Sequence, residues 1–356
     1  MALSRPEAGA TGTAADHGFH PLRVARVIAE TADASSFVLE VPDELKPVFA
    51  YEAGQFCTFR VRVDDRALLR CYSMSSSPAV DPQLKVTVKR TPGGVVSNWM
   101  NDELTEGDTL EATRPAGVFR LGASEGDVVA FSAGSGITPV LSLVKTALAT
   151  TTRRVRLLYA NQDHDAVIFA TELELLGQQH GERLTVAHHL DVDRGLVQPE
   201  TIGAFADDAD DPEFYVCGPG PFMDVVEQSL HSRGVAPARI HIERFTPAAW
   251  ILESEPAPAV AAATTVTVEL DGRTSTADYR PGTTILQTAR QMGLSPPFSC
   301  EAGSCATCMA MLVEGTAAMH VNNALTDDEV AQGWILTCQA VPTSPSVRAV
   351  YDYEEG

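Results

Sequence analysis

The sequence predicts three domains in tandem: a small antiparallel β-barrel, a doubly wound parallel α/β lobe, and a small domain folded around four cysteines. Three observations carry this. Residues 20–122 alternate short strand-like runs with Pro and Gly turns and contain no long helical pattern. Residues 127–245 alternate apolar strands with helical segments. Cys300, Cys305 and Cys308 form Cys-x4-Cys-x2-Cys, and Cys338 follows after a long gap. A chain of 356 residues has room for two or three cores.

The first segment reads as strands at 22–29, 36–41, 55–63, 84–90 and 108–114, separated by Pro42, Pro47, Gly54, Pro82, Gly93-Gly94 and Gly107. Many short strands without long helices favour a barrel. Two stretches carry chemistry. In Arg70-Cys71-Tyr72-Ser73 an extended backbone puts Arg70 and Tyr72 on one face, Cys71 and Ser73 on the other. A guanidinium for phosphate, an aromatic ring to pack on an isoalloxazine and a hydroxyl for its edge suit a flavin nucleotide. In Lys89-Arg90-Thr91-Pro92-Gly93-Gly94-Val95-Val96-Ser97 a glycine turn enters a short helix whose first amides can take a pyrophosphate. Each stretch alone also fits a decorated strand or a helix cap; together they point to flavin.

The second segment alternates strands (127–133, 155–161, 184–190, 214–217, 240–245) with helical patterns (139–150, 170–179, 221–233). This is the signature of a parallel doubly wound sheet, which binds ligands beyond the carboxyl ends of its strands. The first strand ends in Gly134-Ser135-Gly136-Ile137-Thr138-Pro139, a sharp turn into a helix that can carry phosphate. The fourth ends in Cys217-Gly218-Pro219-Gly220-Pro221. Cys217 is either a small buried hydrophobe or a thiol where a nicotinamide lies. After the second strand, Asn161-Gln162-Asp163-His164-Asp165 offers carboxylates and no nearby cation. That favours NADH, since a 2′-phosphate wants Arg or Lys; NADPH is the alternative if a distant Arg folds over. His188 and His189 point to opposite faces of a strand, so packing is expected of them rather than a shared metal.

A Pro- and Ala-rich linker at 247–263 leads to the third segment. Strand runs at 264–270 and 273–279 flank Asp271-Gly272, a strong hairpin signal. A helix at 284–292, the cysteine loop, a strand at 309–314, a return around 334–341 and a last strand at 347–353 follow. Four thiolates at this spacing can hold a [2Fe-2S] cluster in the plant-type manner. Gly303 suits a tight loop whose amides approach sulfur. A structural zinc site is the rival, but zinc favours two Cys-x2-Cys knuckles and there is one.

A net charge of −21 argues against nucleic acid or an anionic membrane surface as partner. From Thr264 onward there are 11 Asp/Glu against 4 Arg and no Lys, compatible with plain solubility or with an acidic face that steers a basic redox partner. No apolar run of 18 residues predicts a membrane span. Residues 1–17 lack an apolar h-region and read as a loose tail rather than a signal peptide. Four of the seven cysteines go to the cluster and the rest are odd in number, so the chain is expected in a reducing cytoplasm.

The Arg70-x-Tyr72-Ser73 stretch and the Gly94-to-Ser97 turn, with Gly54-Gln55-Phe56 and Pro115-Ala116-Gly117-Val118-Phe119, resemble the ferredoxin–NADP reductase superfamily. The third segment is similar to plant-type ferredoxins along its length, with Glu301 where many relatives place Arg and Ala306 where Gly is frequent. The resemblance implies a division into a 1–19 tail, a 20–123 FAD-binding β-barrel, a 124–246 NAD(P)H-binding domain, a 247–263 linker and a 264–356 β-grasp ferredoxin domain. It implies that Arg70, Cys71, Tyr72, Ser73, Val88, Lys89, Arg90, Gly94, Val95, Val96, Ser97, Thr138, Glu243 and Phe245 surround FAD, with FMN the alternative. Lys89 would act through its backbone. Gly134, Ser135, Gly136, Asn161, Cys217, Gly218 and Pro219 would receive NADH, with Tyr72, Ser73, Thr138 and Cys217 at the hydride-transfer junction. Cys300, Cys305, Cys308 and Cys338 would ligate the cluster, and Glu301 would lower its potential or change docking.

Within the superfamily, Leu157-Leu158-Tyr159-Ala160-Asn161 and Cys217-Gly218-Pro219-Gly220-Pro221-Phe222-Met223 resemble the reductase components of 3-ketosteroid 9α-hydroxylases. The reductase subunits of phenylacetyl-CoA epoxidases are the runner-up. The implied activity carries electrons from NADH singly to a terminal oxygenase of the Rieske type, by a monomer that forms transient complexes. A redox sensor and a plain NADH oxidase are the readings from other classes.

Overall fold

The computed structural model describes residues 18–64, 66–245, 265–298 and 300–351. The expected tail as far as residue 17 and the linker at 247–263 lie outside the described residues. The first unit contains β1 (His20–Thr31), β2 (Ala34–Glu40), β3 (Phe56–Val63), β4 (Arg66–Ser73), β5 (Leu84–Lys89), α1 (Val95–Glu103) and β6 (Thr109–Ala112). Their order in the antiparallel sheet is β4-β3-β6-β1-β2-β5. The two edges meet where Met74 bridges Val86 and the Ser75 amide donates to the Lys85 carbonyl at 2.8 Å, which closes the barrel. Closure buries Leu22, Phe37, Leu39, Phe59, Met74 and Val86 in one core and leaves no open edge there.

The second unit contains β7 (Val128–Ala133), α2 (Ile137–Thr150), β8 (Val155–Asn161), α3 (Ala170–His180), β9 (Leu184–Leu190), α4 (Asp191–Arg194), α5 (Pro199–Ala206), β10 (Glu213–Cys217), α6 (Gly220–Ser232) and β11 (Ile240–Glu243). The strands run parallel in the order β11-β10-β7-β8-β9. Every residue of β7 is buried, as expected of a strand with helices over both faces. The chain order reverses at β7, so the ligand crevice lies beyond the ends of β7 and β10. His188 and His189 do take opposite faces: His188 lies against Tyr159, and His189 is buried with Nε2 2.8 Å from the Gly195 carbonyl.

The third unit contains β12 (Thr265–Leu270), β13 (Arg273–Asp278), α7 (Ile285–Gln291), β14 (Met309–Glu314), β15 (Ala317–Met319), α8 (Asp327–Gln332), β16 (Trp334–Leu336), β17 (Ala340–Pro342) and β18 (Ser346–Val350). Its mixed sheet has the order β13-β12-β18-β14-β16, with β12 and β18 parallel. Asp271 and Gly272 both have positive φ, 51° and 68°, as a two-residue hairpin turn of type I′ requires. The return expected at 334–341 is two strands, β16 and β17, because the chain must leave the sheet at 337–339 to bring Cys338 to the loop.

The barrel and the parallel lobe are fixed to each other by a shielded charge cluster. Lys145 of α2 is 6% exposed and contacts Asp81 at 2.7 Å and Glu172 at 2.5 Å, while Lys85 reaches Glu172 at 3.0 Å. Beside it, the Ser142 hydroxyl donates to the Ser76 carbonyl at 2.6 Å, and Ser77 and Thr146 share a 2.7 Å hydrogen bond. Replacing Lys145 with Met takes the ammonium partner from Asp81 and leaves Glu172 with Lys85 alone. The expected loss is about 2–3 kcal/mol, less than for a wholly buried pair because both acids keep some water; denaturant unfolding of the variant measures it.

Candidate functional site

β4 pairs with β3 in the register Phe59↔Arg70, Thr58↔Cys71 and Cys57↔Tyr72. Tyr72 lies 6.0 Å from Phe59, ring to ring, and burial pushes its phenol well above the ordinary value, so it presents a neutral aromatic surface. Ser73 is 3% exposed and its Oγ has no hydrogen-bond partner. A buried hydroxyl left so calls for a ligand atom. α1 starts at Gly94 with no side-chain cap, which leaves first-turn N–H groups for phosphate. A Cβ on Gly94 would fall 2.7 Å from Ser97 Oγ and 2.9 Å from Thr91 Cβ, so only glycine lets the turn close on the helix. The Ser97 hydroxyl accepts from the Thr91 amide at 3.1 Å and keeps its own proton to donate. These features fit a flavin with its pyrophosphate.

The basic residues of this stretch divide. Arg70 is exposed, with one Nη on the Leu69 carbonyl at 2.7 Å. Arg90 instead pairs with Asp102 at 2.6 Å, and Lys89 Nζ lies 3.5 Å from Asp33, so both side chains serve the barrel. Val88 and Val96 are buried in the core and Val95 is 42% exposed. Cys71 Sγ lies 3.3 Å from Thr58 Oγ1, which Thr307 of the cluster loop reaches at 3.3 Å.

At the crevice, Gly134 (φ 52°), Ser135 and Gly136 form one tight turn into α2. A Cβ on Gly136 would lie 2.1 Å from the Cys217 carbonyl oxygen, and one on Gly218 would lie 3.1 Å from Ala133 Cβ. The ends of β7 and β10 therefore touch backbone to backbone. Pro219 caps α6. Thr138 is buried, its hydroxyl donating to the Ser135 carbonyl at 3.1 Å, and Asn161 ends β8 at 4% exposure. Cys217 is fully buried and burial, helped by the Glu243 charge, holds it as a neutral thiol. Phe245 ends its described stretch 45% exposed. A cavity of about 710 Å³ lined by Asp207, Phe214, Arg233 and Arg239 lies at the amino ends of the strands, away from this crevice.

Glu243 pairs in register with Cys217, and burial raises its carboxyl from 4.5 to about 7. The folded state thus keeps a proton that the unfolded chain releases. Stability contributed below pH 4.5 declines as pH rises toward 7 and is gone above it. Glu243→Gln should flatten this slope and gain on the order of 1 kcal/mol over the parent at pH 8. Melting curves of the two apoproteins at pH 5 and pH 8 check it.

The four loop thiols fall into two hydrogen-bonded pairs, Cys300 with Cys305 and Cys308 with Cys338. Among the described residues no three ligating side chains converge on a single metal point. Two pairs suit the two irons of a [2Fe-2S] cluster; one zinc would want all four around one centre. The amides of Ala302 and Ser304 lie 3.4 Å from Cys300 Sγ, and Glu301, Gly303 and Ala306 take positive φ to aim the loop inward. At Ala306 (φ 55°) this is the backbone for which glycine is favoured. Thr337 holds the second pair, donating to the Cys308 carbonyl from its amide (3.2 Å) and its hydroxyl (2.8 Å). Tyr351 donates to Thr337 at 2.7 Å, and Gln339 donates to the Glu301 carbonyl at 2.7 Å. The sequence marks neither Thr337 nor Gln339 as a support, since each acts across the fold. Glu301 meets Arg290 of α7 at 2.9 Å, and that guanidinium lies 3.6 Å over the Phe298 ring. The loop carboxylate is therefore neutralised within its own domain.

Three family models match in tandem: an oxidoreductase FAD-binding domain over 21–121, an oxidoreductase NAD-binding domain over 131–228 and a 2Fe-2S iron-sulfur cluster binding domain over 268–343. The chain is 41% identical over 334 residues to the ferredoxin reductase component of 3-ketosteroid-9-alpha-monooxygenase from Rhodococcus rhodochrous, covering 92% of this chain and 95% of that protein. It is 32% identical over 354 residues to a subunit of the 1,2-phenylacetyl-CoA epoxidase of Escherichia coli strain K12, covering 94% and 98%. The structure of phthalate dioxygenase reductase, described as modular for electron transfer from pyridine nucleotides to [2Fe-2S], superposes with a TM-score of 0.61 at 25% identity, covering 94% of this chain and 98% of that one. No helix among the described residues is long and apolar enough to cross a membrane. When bound, the cofactors take a two-electron reductant and release electrons singly, while the protein supplies position and electrostatics. The chain belongs to the NAD(P)H-dependent, FAD-containing oxidoreductases with a C-terminal 2Fe-2S ferredoxin domain, the family of reductase components of multicomponent oxygenases.

Proposed function

We propose that this chain is the NADH-dependent reductase of a 3-ketosteroid 9α-hydroxylating system and delivers electrons singly to a Rieske-type oxygenase in the cytoplasm. The observation that carries this is 41% identity over nearly the full length of both chains, ferredoxin domain included. Tyr72, Ser73, Thr138 and Cys217 flank the junction of flavin and nicotinamide. Arg70 and the amides of 94–97 hold the pyrophosphate, Glu243 and Phe245 approach the flavin ring, and Cys300, Cys305, Cys308 and Cys338 ligate the cluster. The domain limits are those implied by the sequence. The acidic ferredoxin domain meets a basic face of the oxygenase in a transient complex with the monomer.

The preference for NADH rests on charge at the ends of β8 and β9. Asp163 and Asp165 follow β8, and Asp191 and Asp193 follow β9. The Val192 amide donates to the Gln162 carbonyl at 3.1 Å, which holds the two segments side by side; Arg194 is the one Arg or Lys within them. A 2′-phosphate placed there meets like charge. The expected kcat/KM for NADH exceeds that for NADPH by about tenfold or more, equivalent to about 1.4 kcal/mol. Equal efficiency would refute this preference.

The partner is tested by coupled turnover with purified oxygenases. Product formed with a 3-ketosteroid hydroxylase, and little with a phenylacetyl-CoA epoxidase, supports the reading. The reverse would assign the chain to the epoxidase, whose Escherichia coli counterpart matches over 98% of its length.

A further inference from the structure

We propose that Arg114 is a positioning residue for internal electron transfer: its guanidinium holds the loop at 321–325 and so seats the cluster against the flavin barrel. This rests on the assignment of FAD to the barrel and of the four loop cysteines to a [2Fe-2S] cluster. Arg114 follows β6 and is half-buried. One Nη donates to the Ala324 carbonyl of the ferredoxin unit at 3.3 Å, a contact between residues 210 apart.

Both ends of this bond are anchored. On the barrel side, the Thr113 amide donates to the Thr58 carbonyl at 2.9 Å, and the Thr58 amide donates to Thr113 Oγ1 at 3.2 Å. The Phe56 amide donates to the Ala116 carbonyl at 2.9 Å, and the Ala116 amide returns a bond to Phe56 at 2.8 Å. Pro115 also confines the Arg114 backbone to extended conformations. Arg114 is thereby fixed to β3, which pairs with β4, the strand of Tyr72 and Ser73. On the ferredoxin side, the Asn323 amide donates to the Gly303 carbonyl at 2.9 Å. Gly303 packs so closely under this loop that a Cβ on it would fall 2.6 Å from the Val321 carbonyl oxygen. Leu325 is buried in one core with Cys308 and Cys338. A shift of Ala324 is therefore a shift of the cluster loop.

Beside this bond the seam is loosely filled. Thr307 Oγ1 lies 3.3 Å from Thr58 Oγ1. A cavity of about 170 Å³ is lined by Thr113 and Arg114 of the barrel and by Cys305, Ala306 and Tyr351 of the ferredoxin unit. Atoms lining a void lack partners on one side, so apolar contact contributes less there and directed bonds carry more of the docking. Cys305 in that lining places a cluster ligand at the seam. Electron transfer between two centres weakens steeply with their separation. The fraction of molecules with the seam closed therefore scales the rate at which one electron leaves the reduced flavin and reduces the cluster.

The test uses full-length holoprotein as wild type, Arg114→Ala, Arg114→Lys and Thr58→Val, each checked for flavin and iron content. Anaerobic rapid mixing with NADH reads flavin reduction first and cluster reduction second. Cluster reduction in Arg114→Ala is expected to slow roughly threefold to tenfold, the weight of one hydrogen bond from a charged donor in a docking equilibrium. Flavin reduction by NADH and the cluster's midpoint potential should keep their wild-type values. X-ray scattering from the same samples should give Arg114→Ala a larger radius of gyration. Arg114→Lys keeps a cationic donor and should recover part of the rate; Thr58→Val should slow cluster reduction by about twofold. An unchanged rate of cluster reduction in Arg114→Ala would overturn the proposal. A slowed rate with a shifted midpoint potential and a wild-type radius of gyration would do so too, because it would report a disturbed cluster rather than an opened seam. If Arg114→Ala does not accumulate folded, the other two variants decide the matter: wild-type cluster reduction in both would also overturn it. An iron-free wild type would instead defeat the cluster assignment itself.

Discussion

Cys338→Ser protein should still take electrons from NADH into its flavin but deliver almost none to a protein acceptor. Cys338 lies in the turn between β16 and β17, where its thiol completes the second pair with Cys308. A serine hydroxyl is a poor substitute for a thiolate ligand of iron, so the cluster should be lost or unstable. The damage should stay local. The ferredoxin core (Val266, Val268, Ile285, Ala310, Val347) is separate from the barrel core and from both cores of the parallel lobe. Electron delivery to the oxygenase should fall by roughly 100-fold or more. NADH-driven reduction of a small artificial acceptor, which can draw on the flavin directly, should stay within about twofold. Loss of flavin along with the cluster would show that the domains are not independent in this way.

Gly136→Ala should nearly abolish NADH oxidation by any acceptor. The added methyl would sit 2.1 Å from the Cys217 carbonyl oxygen and 2.7 Å from the Gly218 amide nitrogen. Both are backbone atoms at the end of a buried strand, so neither can rotate away. The ends of β7 and β10 must part, and with them the Gly134 turn and Cys217. A misplacement on the order of 1 Å at a hydride-transfer site costs about 100-fold. The overpacking itself should cost about 1–3 kcal/mol of stability. Single-turnover reduction of the flavin by NADH reads the first effect and thermal unfolding the second. A variant with normal flavin reduction would mean that this turn does not position the dinucleotide.

The legible and illegible parts of this chain differ in the distance over which their causes act. The cysteine spacing is itself the coordination chemistry, so four residues disclose the site. The alternation of strand and helix in the second unit is equally local, and β8 and β9 fall where their apolar runs end. Alternation on β4 also separates Cys71 from Tyr72, but the contact of the barrel with the cluster loop, Thr58 with Thr307, joins residues 249 apart. Barrel closure through Met74 and Val86, the Arg290 partner of Glu301 and the Lys145 cluster are illegible because the contacts join different elements, even where the partners are as few as 11 residues apart. The ion pairs of Lys89 with Asp33 and of Arg90 with Asp102 join residues of different elements, so the sequence does not disclose them. Two helices lie between these extremes. α8 carries a capping box, Thr326 with Glu329, that a local reading can find. α5, eight residues opening on a proline, is too short for its period to stand out.

The central claim is an internal electron chain in which the flavin barrel and the cluster loop touch, at Thr58 and Thr307. Its most direct test is anaerobic rapid mixing of the holoprotein with NADH, following flavin bleaching and then the cluster's absorbance and paramagnetic signal. The account predicts that the cluster is reduced after the flavin, at a rate that does not change when the protein is diluted. A rate that falls in proportion to protein concentration, or a cluster that stays oxidised beside a fully reduced flavin, would contradict it.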